Sequence, residues 1–398
     1  MHYRQAFLQH IAQTSPAPIG LHINKADGIY LYGEDGKTYI DLISGFSVAN
    51  IGHSNPRVVK AVQEQAAKYM HLIVYGEFIE TPQVNYAQLL SSLLPKRLDC
   101  IYFTNSGAEA TEGAMKLAKR VTGKSKIISC KNAYHGSTQG ALSVMGDEYF
   151  KQSFRPLLPN VFQYPYQSQQ LIDAIDVTTA CVIVEPVQAE SGIISADKQW
   201  LQALSSKCSA NKCLLIFDEI QSGFGRTGHL FAFEKLGIIP DVLLLGKALG
   251  GGMPLGAFIA SHQLMQTLTH QPVLGHITTF GGHPVSCAAG NAALLELLEN
   301  EWIKEVPAKE QILKEKLQHP DIKILRTAGL WASITFDNFE LNKLIVHHCV
   351  KNGLVTDWFL FNNCAMRIAP PLCITKEQLL EACDKILKVI DDVTSGNI

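Results

Sequence analysis

The sequence predicts an α/β fold: a mostly parallel, doubly wound sheet in a large domain, with a smaller α+β domain built from both chain ends. Three observations carry this. Short apolar runs of strand length alternate with helix-length segments through the middle of the chain. Polar residues with reactive side chains stand where those runs end. The two ends of the chain lack this rhythm. Continuous apolar runs mark strands buried on both faces, because helices cover both sides of a parallel sheet.

The elements follow in order. Ile29-Tyr-Leu-Tyr-Gly-Glu-Asp-Gly-Lys-Thr-Tyr-Ile-Asp41 predicts a hairpin with its turn at Glu34-Asp-Gly36. Ile101–Phe103 predicts a strand, and Ala108–Arg120 a helix after it. Lys126–Cys130, Cys181–Glu185, Cys213–Asp218 and Val242–Leu245 continue the strand series. From about Ala288 the pattern becomes a long amphipathic helix, then short strands, then a closing helix over Lys376–Asp391. These shifts predict a large domain over 49–287 and a smaller one from 1–48 and 288–398. In such sheets ligands bind at the carboxyl ends of the strands.

Bulk properties narrow the function. The net charge of −2, from 34 basic and 36 acidic residues, gives no electrostatic reason to expect nucleic acid or an anionic membrane as partner. No apolar run approaches the length of a membrane span, and the first ten residues lack the core of a signal peptide. Ten cysteines are scattered without a Cys-x-x-Cys pair, which suits a reducing cytoplasm. His347-His348 stands away from other metal-ligating residues, so no metal site is expected.

Five motifs lie at strand ends. In Asp241-Val-Leu-Leu-Leu-Gly-Lys-Ala-Leu-Gly-Gly-Gly252, an apolar run delivers Lys247 into a glycine-dense turn. Withdrawn from water, a lysine amine loses its proton more readily and can form a Schiff base with a carbonyl. Asp218 ends a second apolar run, and a buried acid there needs a partner such as a cationic ring nitrogen. Asn105-Ser-Gly-Ala-Glu-Ala-Thr111 opens a helix, whose free amides suit a phosphate. Tyr134-His-Gly136 follows a strand, and its aromatic ring could stack on a planar ligand. Gly223-Phe-Gly-Arg-Thr-Gly228 has the spacing of a dinucleotide loop, but its strand has already ended at Asp218 and no acid follows at the required distance.

Together these segments resemble a class III aminotransferase, a pyridoxal 5'-phosphate (PLP) enzyme of fold type I. The likeness is collinear from Gly28 to Pro371, and its most specific blocks surround Asp218 and Lys247. The resemblance implies that Lys247 holds PLP covalently and moves the proton. Asp218 would keep the pyridine nitrogen protonated, and Gln221 would lie near the ring's phenolic oxygen. Ser106, Gly107 and Ala108 would take the phosphate, Tyr134 would stack on the ring, and His135 and Glu185 would line the cofactor site. Thr279 would reach the phosphate in a neighbouring subunit, implying a homodimer with shared active sites. Glu190 and Arg367 resemble a switch pair, with Arg367 holding the α-carboxylate of glutamate or 2-oxoglutarate and Phe46 lining the donor side. The implied reaction is transamination between 2-oxoglutarate and an ω-amino or diamine-type amino acid, such as ornithine, acetylornithine, 4-aminobutyrate or a lysine-like donor. The alternative on the same fold is an aminomutase or racemase. One departure stands out: where those aminotransferases carry an arginine for the donor's distal carboxylate, this chain has Ser137.

Overall fold

The computed structural model describes Tyr3–Gly396. Its centre is a seven-stranded sheet in the order Cys100–Thr104, Gly256–Ala260, Val242–Leu245, Leu214–Asp218, Thr179–Val184, Lys126–Cys130, Val161–Tyr164. Four neighbouring pairs are parallel. Gly256–Ala260 runs against both its neighbours, so the other six strands share one direction. The sheet is therefore mixed but mostly parallel, as the alternating pattern predicts. Two further strands, Val161–Tyr164 and Gly256–Ala260, join the predicted series. The first is a partly exposed outer strand, and in the second glycine and alanine weaken the strand signal of a fully buried run.

Both faces of the sheet are covered. Leu215, Phe217, Leu243, Leu245, Val182 and Val184 enter one apolar cluster, while Ile216, Val242, Leu244, Cys181 and Ile183 enter another. Alternate residues of a strand point to opposite faces, so a strand with no polar alternation must be dry on both. The helix Gly107–Thr122 closes one face with Ala110, Ala114, Met115, Leu117 and Ala118. Each fully buried Leu or Ile contributes about 1.5–3 kcal/mol through area removed from water.

The predicted hairpin forms between Tyr30–Gly33 and Thr38–Asp41, with Leu31 opposite Tyr39. It shares a four-stranded sheet with Ile23–Asp27 and with Leu354–Val355 from the far end of the chain. The expected long amphipathic helix is instead two helices, Pro284–Glu299 and Trp302–Lys316. The first is buried nearly all round, with Pro284, Ala289, Gly290, Ala293 and Leu297 all inside, so it carries no polar stripe. The closing helix Lys376–Thr394 starts at a capping box formed by Thr375 and Gln378.

The glycine-spaced segment 223–228 has a packing role. Gly225 and Gly228 adopt φ of 87° and 86°, and between them Arg226 turns into the interior, where it is 0% exposed. Its Nη1 donates to the carbonyls of Leu330 (2.8 Å) and Pro370 (2.6 Å). Its Nη2 donates to Ser44 Oγ (3.1 Å) and Asn50 Oδ1 (2.6 Å). One guanidinium thus ties the central sheet to both chain ends. Arg226→Ala leaves the Leu330 and Pro370 carbonyls and Asn50 Oδ1 without this donor, at about 1–3 kcal/mol each, partly recovered where the site relaxes or admits water. The expected loss is roughly 3–5 kcal/mol of stability, read from urea unfolding.

Candidate active site

The carboxyl ends of the parallel strands converge on one cavity of about 440 Å³. Asp218 pairs with Leu244 across adjacent strands, so Lys247 leaves its strand beside it. Phe217 pairs with Val184, which brings Glu185 alongside on the other flank. Tyr134 and His135 come from the loop after Lys126–Cys130, and Ser106, Gly107 and Ala108 from the start of Gly107–Thr122. Each apolar run therefore ends at the same edge, and each delivers its first polar residues into the same space.

Lys247 is partly buried and has a positive φ of 49°, a strained conformation for a residue with a Cβ. Its Nζ donates to Gln221 Oε1 at 3.0 Å. Burial is the main cause holding its pKa below the usual lysine value, helped by the charge of Arg367 and opposed by Glu190, Asp218 and Glu185. Asp218, 5% exposed, accepts from the Ile220 amide at 2.9 Å and pairs with His135 Nδ1 at 2.6 Å. For His135, burial opposes protonation, but the hydrogen bond and charge of Asp218, with Glu185 behind it, raise its pKa above the usual value. Glu185 accepts from the Ala189 amide at 3.0 Å, and burial pushes its pKa up to about 8. The neighbouring acid Glu219 points the other way. It accepts from the amides of Ala232 (2.6 Å) and Phe233 (2.7 Å) at a helix start, so it serves packing.

The helix start is shaped by local chemistry. Ser106 Oγ accepts from the Glu109 amide at 3.2 Å, while the Gly107 and Ala108 amides have no carbonyl one turn back. Gly136 lies against this helix start with φ of 127°, and a Cβ there would sit 2.5 Å from Ala108 Cβ. Only glycine lets the Tyr134–Gly136 loop pass so close. The Tyr134 hydroxyl is 3.0 Å from Ser137 Oγ.

Arg367 stands behind the cavity, 1% exposed and engaged on every side. Its Nη1 and Nη2 meet Glu190 Oε1 and Oε2 at 3.0 and 2.9 Å. Its Nε donates to Asp357 Oδ1 at 3.1 Å. The rings of Phe359 and Phe46 lie 4.4 and 5.0 Å from Cζ. Phe46 is carried there by a left-handed turn, Ser44 to Ser47, with φ of 44°, 58°, 63° and 64°. Left-handed backbone costs about 1–2 kcal/mol for each residue with a Cβ. Asp41 Oδ1 offsets that cost by accepting from the amides of Ile43 (2.9 Å) and Ser44 (2.8 Å), and Ser44 Oγ donates to the Ala369 carbonyl at 2.8 Å.

The family profile of aminotransferase class-III matches residues 11–390. The chain belongs to the class III aminotransferases. It is 37% identical over 372 residues to the acetylornithine aminotransferase of Bacillus anthracis, covering 92% of this chain and 94% of that one. It is 36% identical over 388 residues to that of Archaeoglobus fulgidus, covering 95% and 98%. Its fold matches the ornithine aminotransferase of Toxoplasma gondii with a TM-score of 0.91 at 28% identity, over 99% of this chain and 94% of that chain. This class III aminotransferase is a PLP-dependent transaminase.

The cavity suits that cofactor on observations of its own. Its volume lies in the usual range for a small-molecule cleft. Three residues that line it, His135, Glu185 and Gln221, each carry a buried polar atom (Nε2, Oε1 and Nε2) without a hydrogen-bond partner. A helix start suits an anion at one end, and a buried carboxylate suits a cation beneath.

Of the residues expected from sequence, Ser106, Gly107, Ala108, Tyr134, His135, Ser137, Glu185, Glu190, Asp218, Gln221 and Lys247 all line the cavity. Arg367 joins it through Glu190, and Phe46 lies against Arg367 in turn. Thr279 does not: it is exposed, on the segment before Pro284, outside this chain's own cavity. Asp357 and Phe359, both on Arg367, escaped the sequence reading. The one available signal was an acid inside the apolar run Leu354-Val-Thr-Asp-Trp-Phe359.

Proposed function

We propose that this enzyme moves an amino group from an ω-amino or diamine-type amino acid to 2-oxoglutarate. One observation supports this most: Arg367, a buried bidentate site for a carboxylate, is closed by Glu190 beside the Lys247 cavity. Glu190 neutralises Arg367 while an ω-amino donor is bound, and yields to the acceptor's α-carboxylate. The acetylornithine and ornithine aminotransferase names of its relatives agree with such a donor. Ser137 narrows the choice. Lys247 is the sole lysine or arginine among the residues lining the cavity, so no guanidinium within this chain's cavity awaits the donor's distal carboxylate.

In this reading PLP, when bound, supplies an electron sink for the pair left as a proton leaves the donor carbon. Lys247 anchors it and carries the proton, since a lowered pKa leaves more neutral amine at neutral pH. Asp218 faces the ring nitrogen, with His135 fixing its second oxygen. The Gly107 and Ala108 amides and Ser106 take the phosphate, Tyr134 covers the ring, and Gln221, His135 and Glu185 present their unmatched polar atoms.

The same reading makes the enzyme a homodimer. Leu72, Ile73, Phe78, Ile79, Val273, Leu274, Ile277 and Phe280 are exposed apolar side chains on two segments joined by the His71–Phe280 ring contact at 4.7 Å. A second copy covering them would place Thr279 toward its partner's cofactor. Residues 1–48 and 288–398 form the small domain, and 49–287 the large one. No helix among the described residues is long and apolar enough to cross a membrane. All ten cysteines are free, which suits the cytoplasm as the working compartment.

A donor panel with 2-oxoglutarate tests the substrate assignment, and Arg367→Ala tests the clamp. Losing charge-assisted bonds worth about 1.5–3 kcal/mol should raise KM for 2-oxoglutarate about 10–150-fold. Acceptance of pyruvate with refusal of 2-oxoglutarate would contradict the assignment.

A further inference from the structure

Glu190 is not the only acid on Arg367. The Arg367 guanidinium meets two carboxylates at once, Glu190 on Nη1 and Nη2 and Asp357 on Nε. Backbone contacts hold the Glu190 carboxylate and the Asp357 main chain. The Leu360 amide donates to Glu190 Oε2 at 3.0 Å, and the Arg367 amide donates to the Asp357 carbonyl at 2.9 Å. Trp358 pairs with Met366 across the same hairpin, which fixes Asp357 opposite Arg367. With both acids ionised, the cluster carries one negative charge in excess. A substrate carboxylate taking Nη1 and Nη2 displaces Glu190 from the guanidinium but leaves its charge beside the cluster, so the site gains another negative charge.

We propose that Asp357 is a specificity-determining residue for the acceptor half-reaction: its carboxylate takes up one proton from solvent as the 2-oxo acid binds Arg367. The proposal rests on the reading of Arg367 as the acceptor's clamp. The proton adds to an Asp357 carboxylate oxygen, and no bond in the substrate changes in this step.

The surroundings favour Asp357 over Glu190 as the proton's destination. Asp357 is faced by Arg367 from its own hairpin, by Glu190 from the loop after Thr179–Val184, and by Asp41 from the N-terminal hairpin. Asp41 is itself paired with His53 Nε2 at 2.7 Å. Lys247 acts from the far side of Glu190 and Arg367. Burial raises the Asp357 pKa to about 6, with Glu190 and Asp41 adding to the rise and Arg367 opposing it. For Glu190 burial also pushes upward, but the charge and two-point hydrogen bond of Arg367, with the Leu360 amide and Lys247, hold the pKa below its usual value.

The sign follows. An added substrate carboxylate raises the Asp357 pKa further, so binding is accompanied by proton uptake and tightens as pH falls. The window runs from the higher, substrate-bound value down to about 6, and below that the dependence flattens. Asp357→Asn keeps an oxygen for Nε but removes the charge.

The experiment measures KM for 2-oxoglutarate and kcat from pH 5.5 to 8.5 for the PLP-loaded wild type, Asp357→Asn, Asp357→Glu, Glu190→Gln and Arg367→Ala. In the wild type KM should fall by up to about tenfold per pH unit through the window. Asp357→Asn should be flat, with a KM at pH 8.5 about tenfold or more below wild type and kcat little changed. Asp357→Glu should restore the slope. A wild-type slope in Asp357→Asn overturns the proposal, as does a slope lost only in Glu190→Gln. If Asp357→Asn or Asp357→Glu loses kcat and melts early, Asp357 is structural and the proposal falls. If Arg367→Ala leaves KM for 2-oxoglutarate unmoved, the clamp reading itself fails, which is a separate outcome.

Discussion

Lys247→Ala is expected to abolish turnover, lowering kcat by at least about 10²–10⁴-fold, the contribution of a positioned proton carrier. The size follows from its place. No other lysine lines the cavity, and Lys247 enters it beside Asp218 at the ends of adjacent strands. Its Gln221 hydrogen bond and left-handed backbone aim the amine, while burial keeps its pKa low. Folding should change little, because the side chain makes one weakly stabilising hydrogen bond. A thermal melt within a few degrees of wild type, beside the lost kcat, checks both statements. Activity near wild type would remove Lys247 from the reaction.

Asp218→Asn is expected to lower kcat by about 10²–10³-fold, as loss of one preorganised charge partner does in other sites. The substitution keeps the shape and the hydrogen bond from the Ile220 amide, so the effect reads the charge. It also has a signature in stability. The raised pKa of His135 means that the His135–Asp218 pair contributes stability that is fully present below the ordinary histidine range and is lost as pH rises through the raised value. In Asp218→Asn that pH-dependent part should largely vanish. Unfolding curves at several pH values, with kcat beside them, separate the catalytic charge from the structural one.

The two residues most legible without the family likeness share one physical trait. Asp218 ends an apolar run and Lys247 follows one directly, and a polar group at a buried strand end cannot go unexplained. Parallel strands then bring those ends together without further information. Asp357 and Phe359 were illegible for the opposite reason. They touch Arg367 through a hairpin register and a fold-back, and neither leaves a trace in spacing. The segment 223–228 has the glycine spacing of a nucleotide loop without its context, and the structure gives it another role. Its glycines permit the positive φ that turns Arg226 inward, and the resemblance to a nucleotide loop is incidental. Thr279 is legible by likeness to a family: it is exposed, and nothing in the spacing around it marks a role within its own chain.

The central claim is that the cavity at the strand ends holds PLP through Lys247. The most direct measurement is borohydride reduction of the PLP-loaded enzyme, followed by digestion and mass spectrometry of the peptides. The predicted result is a single stable adduct on the peptide spanning Asp241–Gly256, located at Lys247. An adduct on a different lysine, or none on a protein saturated with PLP, would contradict the account.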